Sequence, residues 1–406
     1  MISVENRSRV VLALLAISAV ISFIDRGNLS VASPVLALEF KLNSVQLGVL
    51  LSAFFWTYAG FQIVAGLLVD RYGAGLLYGL GFLLWTVATL LTGFATGFGS
   101  LLLLRLLLGL GESTANPSWS SIFANRLPEN RRGFANSLVD AASKTGPGIG
   151  TFLGGMMVAQ WGWRPLFIVL GAASLLWLLP WYKYAPAPVV QATARQPEPG
   201  LIQILSKRPA WATSIGLFCF NYGYFFVMMW LPSYLVTQRH YSIREMAVFG
   251  SLPFGACALS SVTGGRISDW LIDRGHPAAR VRKGFAVSGL FLAALPLVGS
   301  ALASNITSMV LLIVSFIGVG FFTSNVWAIT QRLAGTAAAG KWTGMQNGIG
   351  NLGSLAAPVV TGWVVHRTDS FFGSFLAASV FMLIACMMYS FVVGPIEPVA
   401  WKKTSP

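Results

Sequence analysis

The chain has 406 residues, 55% of them hydrophobic and 10% charged, with a mean hydropathy of +0.70, whereas ordinary soluble domains carry roughly 25% charged residues. This composition excludes a soluble globular enzyme and identifies an integral membrane protein. The formal net charge of +14 does not mark a nucleic-acid binder: of the 27 Lys+Arg, 19 fall on one side of the segments assigned below, five on the other and three at membrane depth (Arg26, Arg105, Lys144). That is the positive-inside bias, and it puts both termini in the cytoplasm.

A spanning helix needs about 20 mostly apolar residues. Twelve such runs follow along the chain: 10–36, 45–69, 75–97, 99–122, 133–159, 164–184, 211–236, 246–271, 283–303, 307–330, 342–366 and 371–395. Arg7 and Arg9 ahead of the first run resemble the start of a signal peptide. Asp25-Arg26 then falls where a cleavage site would stand and apolar character continues past it, so the first helix is read as retained. The long polar connection at 185–208, with Pro186, Pro188, Pro197 and Pro199, reads as a cytoplasmic linker. The expected architecture is therefore an all-α membrane protein of twelve transmembrane helices in two six-helix bundles, residues 1–184 and 209–406.

The halves repeat one another. Gly66 and Asp70 close the second helix, and Gly265 and Asp269 close the eighth; Arg126-Leu127 and Arg131-Arg132-Gly133 after the fourth are answered by Arg332-Leu333 and Gly340-Lys341 after the tenth. Parallel repeats of this kind belong to transporters that rock about a midplane site. Gly66, Asp70, Arg71, Arg131, Arg132, Asp269 and Arg332 are the candidate gating residues, charged contacts at a cytoplasmic gate.

An ionised side chain at bilayer depth costs about 2.5–3.5 kcal/mol on insertion scales, so such residues are rare and mark a partner or a watery pathway. Arg26 and Arg105 carry permanent charge on a planar fork that matches a carboxylate, which suits recognition of an organic anion; the structural alternative pairs Arg105 with Glu112 on the same helix. Asp25 and Glu112 are the proton-carrier candidates. Burial favours the protonated carboxyl and a neighbouring arginine the ionised one, so an anion that engages the arginine promotes protonation. With Asp25, Arg26, Arg105, Glu112, Asp140 and Lys144 ionised the charges cancel, and protonating Asp25 and Glu112 leaves +2. Asp140 and Lys144, four apart, form either a structural pair or part of the site. On the tenth and eleventh helices Ser324, Asn325, Trp327, Asn347 and Asn351 offer polar and aromatic surface, or serve as interhelical glue. Gly146-Pro147-Gly148-Ile149-Gly150 permits close helix approach and a kink.

The segment from Gly66 to Gly73, GLLVDRYG, resembles the loop signature of the major facilitator superfamily, and FIDRGNLSVA (Phe23 to Ala32) with LLRLLLGLGESTANPS around Arg105 and Glu112 resembles its anion:cation symporter branch. That branch contains bacterial proton-coupled sugar-acid transporters and the vesicular glutamate and sialic-acid transporters. The resemblance implies that Asp25 and Glu112 are the protonated pair and that Tyr58, Ser324, Trp327 and Asn347 contact substrate, with Ser143 standing where the sugar-acid symporters have a glutamine and Lys144 beside it. The expected function is proton-coupled import of an organic anion, a sugar acid such as an aldonate, aldarate or hexuronate, by alternating access in the inner membrane. An uncoupled or exchange carrier for small carboxylates or aromatic acids is the alternative, and a transporter-like nutrient sensor the alternative of another class. No enzyme is expected, since no zinc-binding His pair or Ser/His/Asp constellation is evident. Cys219, Cys257 and Cys386 lie apart in apolar runs, and His240, His276 and His366 lie near helix ends or loops, so neither metal nor cofactor is expected. The expected partners are the small anion, protons and lipid, with no nucleic acid, around a monomer.

Overall fold

In lipid every backbone polar group must find its partner inside the chain, so long apolar runs fold as helices. The computed structural model describes residues 4–127, 129–186 and 199–401, and among these no strand occurs. Eleven helices are long and apolar enough to cross a membrane: α1 (Arg9–Glu39), α2 (Ser44–Tyr72), α3 (Ala74–Thr92), α4 (Phe98–Arg126), α6 (Trp163–Tyr184), α7 (Arg208–Gln238), α8 (Ile243–Asp273), α9 (Ala278–Leu302), α10 (Asn305–Gly335), α11 (Ala338–Thr368) and α12 (Phe372–Val392). The twelfth, α5 (Glu129–Trp161), is 33 residues long and carries Asp140 and Lys144 in its first half. The all-helical, twelve-helix expectation is thus met. Residues 187–198 of the expected linker and the side chain of Arg131 lie outside the described residues.

By contact the chain forms two units, Met1–Ala192 with Met228–Ser251, and Thr193–Val227 with Leu252–Pro406. In the first, close approach depends on glycine. A Cβ at Gly111 of α4 would lie 2.6 Å from the Gly81 carbonyl of α3, and one at Gly146 of α5 would lie 2.6 Å from the Phe23 Cβ of α1. The Met228–Ser251 segment is tied to α1 by the Ser30 hydroxyl, which donates to the Met229 carbonyl at 2.7 Å, and by a 2.7 Å hydroxyl contact between Ser33 and Ser233.

The second unit repeats this packing. A Cβ at Gly318 of α10 would lie 2.5 Å from the Gly289 carbonyl of α9, and Gly353 of α11 abuts Phe218 of α7. These glycines follow Gly111, Gly81 and Gly146 at a near-constant offset, so the repeat visible in the loops extends to the helix contacts.

Equivalent helices are also interrupted at equivalent places. The α4 span breaks at Ser113–Thr114, between segments Phe98–Glu112 and Ala115–Arg126, and the α10 span breaks at Ser324–Asn325. At Gly335 the backbone enters the left-handed region (φ 63°), ending α10. Carbonyls freed there are taken by the chain's end: Val399 N–H donates to Leu333 O at 2.9 Å and the Trp401 indole to Ala334 O at 3.1 Å.

Candidate functional site

Three helices of the first unit bring their polar residues to one buried centre. On α1, Ser22 and Arg26 are four apart and share a face, and both donate to the same Glu112 carboxylate oxygen, each at 2.7 Å. The Arg26–Glu112 ion pair is buried on both sides, with side chains 7% and 0% exposed. From α2, Phe54 and Tyr58 lay their rings 5.0 and 4.7 Å from the Arg26 guanidinium carbon, and Phe23 of α1 does so at 4.4 Å. Three rings and one carboxylate therefore surround this cation, each supplying favourable charge–quadrupole or charge–charge contact.

Arg105 is held differently. Its terminal nitrogens donate to the main-chain carbonyls of Asp25 and Arg26, both at 3.3 Å, while its Nε has no partner; the Phe54 ring lies 5.6 Å away. Among the described residues it enters no ion pair. Asp25 accepts a 3.2 Å bond from Asn28, and its second oxygen, together with Asn28 Oδ1, Thr86 Oγ1, Thr89 Oγ1 and Glu112 Oε1, is buried without a partner. Polar atoms buried without a partner are costly.

The structural alternative to anion recognition paired Arg105 with Glu112 as neighbours on one helix. The structure instead pairs Glu112 with Arg26 across helices and leaves Arg105 on backbone. Ser22, Phe23, Phe54 and Asn116 were not foreseen. The spacings that mark two of them are simple: Ser22 precedes Arg26 by four and Asn116 follows Glu112 by four. Asn116 donates from its amide to the Tyr58 hydroxyl at 3.0 Å.

Elsewhere, Lys144 is bonded to Asp140, and Ser143 donates to the Asp140 carbonyl on its own helix. In the second unit Ser324 donates to Phe321 O at 2.8 Å and receives a bond from Asn325 at 2.9 Å; Asn325 in turn accepts from Ser268 at 3.0 Å. Trp327 and Asn347 are half-buried, whereas Asn351 is buried with its amide nitrogen unbonded. The gating candidates are placed at helix ends. Gly66 has open space around it, and Asp70, Arg71 and Asp269 are exposed. Arg132 donates to Ala124 O at 2.7 Å and Leu127 O at 3.1 Å, closing the end of α4, and Arg332 donates to Ile396 O at 3.0 Å.

A family model described as Major Facilitator Superfamily matches residues 15–358. The chain belongs to the major facilitator superfamily. This is a transporter family, so the chain is a multi-pass membrane transporter and not an enzyme. It is 31% identical to the protein of Cupriavidus necator named "Probable sulfoacetate transporter", over 94% of this chain and 93% of that one. It is 29% identical to the Bacillus subtilis protein named "Probable galactarate/D-glucarate transporter", over 94% and 91%. Its fold matches a crystal structure of a bacterial homologue of the human lysosomal transporter Spinster with a TM-score of 0.80, at 18% identity, over 93% of this chain and 95% of that one. The repeat of the two halves is visible here in the glycine contacts, and the buried charges of the first unit lie on α1 and α4.

Proposed function

We propose that this chain imports an organic anion together with protons, a sugar acid or similarly small acid, by alternating access. The supporting observation is the buried set of two arginines and two carboxyl groups, in which Arg26 is neutralised by Glu112 and Arg105 has only carbonyl partners and an unbonded Nε. A protonated Glu112 no longer holds Arg26 as an ion pair, so one proton exposes a second positive fork. An anion that engages it then stabilises the protonated carboxyl, because reprotonation and binding draw on the same arginine. Asp25, beside the backbone that Arg105 grips, is the second carrier. In this reading the bundles are residues 1–184 and 209–406 and work as a monomer in the inner membrane, with both termini cytoplasmic.

The names of the relatives support the anion class. Sulfoacetate carries two acidic groups and galactarate carries two carboxylates with hydroxyls between them, and two buried guanidinium groups suit either. Binding tests the reading directly: galactarate, glucarate or sulfoacetate added to purified protein should raise its unfolding temperature, since a ligand of the native state stabilises it. Arg105→Lys should remove the effect, because an ammonium cannot reproduce the fork. Equal stabilisation of the wild type and Arg105→Lys would contradict it.

A further inference from the structure

Asn116 lies just past the α4 break, four residues beyond Glu112, and is half-buried. Its amide meets the Tyr58 hydroxyl at 3.0 Å, and Tyr58 is 4% exposed, stacked on Phe54 at 5.1 Å and 22° with its ring beside the Arg26 guanidinium. The hydroxyl is therefore fixed in position relative to the cation. An amide and a phenol joined by one hydrogen bond keep both donor and acceptor capacity in reserve whichever way the amide is turned: Tyr O–H and the second Asn N–H with Asn Oδ1, or the two Asn N–H with Tyr Oη. A hydroxyl group is the small substituent that needs both. A second carboxylate or a sulfonate only accepts, and a methylene does neither.

We propose that Asn116, acting with Tyr58, is a specificity-determining residue that selects anions bearing a hydroxyl near the carboxylate seated on Arg26. This rests on the organic-anion reading above. Polar residues in membrane helices also tie helices together, and an Asn116 that only joined α4 to α2 would affect every ligand alike. Matched pairs separate the two roles: galactarate against adipate, and malate against succinate, each pair differing only in hydroxyls.

Affinities for both pairs would be measured calorimetrically on wild type, Asn116→Leu and Tyr58→Phe. Leucine keeps similar bulk and is well tolerated in a membrane helix, and phenylalanine keeps the ring beside Arg26. In the wild type the hydroxylated member of at least one pair should bind about tenfold tighter, the scale of one or two neutral hydrogen bonds. In both variants that preference should fall to within about threefold of unity, whatever the change in overall affinity. A wild type that binds both members equally, or variants that weaken both members in parallel, would overturn the role of Asn116 and leave anion binding standing. A wild type that binds none of the four anions, nor the three acids named above, would remove the organic-anion reading and this inference with it.

Discussion

At the scale of single residues, the two arginines are held differently, Arg26 by the Glu112 carboxylate and Arg105 by main-chain carbonyls. Breaking a buried ion pair by removing one partner costs about 3–5 kcal/mol, because an uncompensated charge remains. Arg26→Leu and Glu112→Leu should each lower the unfolding temperature by several degrees, while the double variant should recover much of the loss; thermal unfolding in detergent checks this. Glu112→Gln is the gentler change. It imitates the protonated carboxyl, keeps the Ser22 bond within reach and frees Arg26, so it should bind anion at least as tightly as the wild type with a weaker pH dependence, the remainder belonging to Asp25. An anion affinity in Glu112→Gln that follows pH as steeply as in the wild type would remove Glu112 from the coupling.

At the scale of helices, the contacts that set the site are backbone approaches. Gly111 has the Gly81 carbonyl and the Trp85 backbone nitrogen within 2.8 Å of where its Cβ would stand, and neither can move without its helix, whereas Gly66 has nothing within 4 Å. Gly111→Val should therefore lose folded protein on expression, overpacking at such a contact costing about 1–3 kcal/mol or more. Gly66→Ala should fold normally by fluorescence-detected size exclusion. Helix positions were legible in the sequence because length and apolar character alone decide them in lipid. The α4 and α10 breaks were not read: Pro117 does mark the first, since it has no N–H to give the Ser113 carbonyl four residues back, whereas Ser324–Asn325 has no such proline and its interruption shows only when the flanking segments pack. The same holds for the site. Arg26, Arg105, Asp25 and Glu112 stand out as charges in apolar runs, but which arginine meets Glu112 depends on how α1 sits against α4, and no spacing within one helix reports that.

For the molecule as a whole, residues 396–401 pack on the second unit. Arg332 donates to Ile396 O, Lys207 to Ala400 O at 3.2 Å, and Trp401 both donates to Ala334 O and meets the buried Trp342 ring edge-on at 6.1 Å. Arg332 and Ala334 flank the Gly335 turn between α10 and α11, so Trp401→Ala should destabilise the protein by about 1–3 kcal/mol through an unmet carbonyl and lost packing, with substrate preference unchanged. On the proposed reading, four buried charges that cancel when ionised become positive when a carboxyl is protonated, which opens a second guanidinium to an anion. The direct test is accumulation of radiolabelled galactarate or sulfoacetate in proteoliposomes with an acidic exterior. The wild type should concentrate at least one of them above equilibrium and lose it on adding a protonophore, while Glu112→Gln exchanges anion without concentrating it. Accumulation that survives the protonophore, or that Glu112→Gln sustains with full dependence on the gradient, would contradict proton coupling through the Arg26–Glu112 pair.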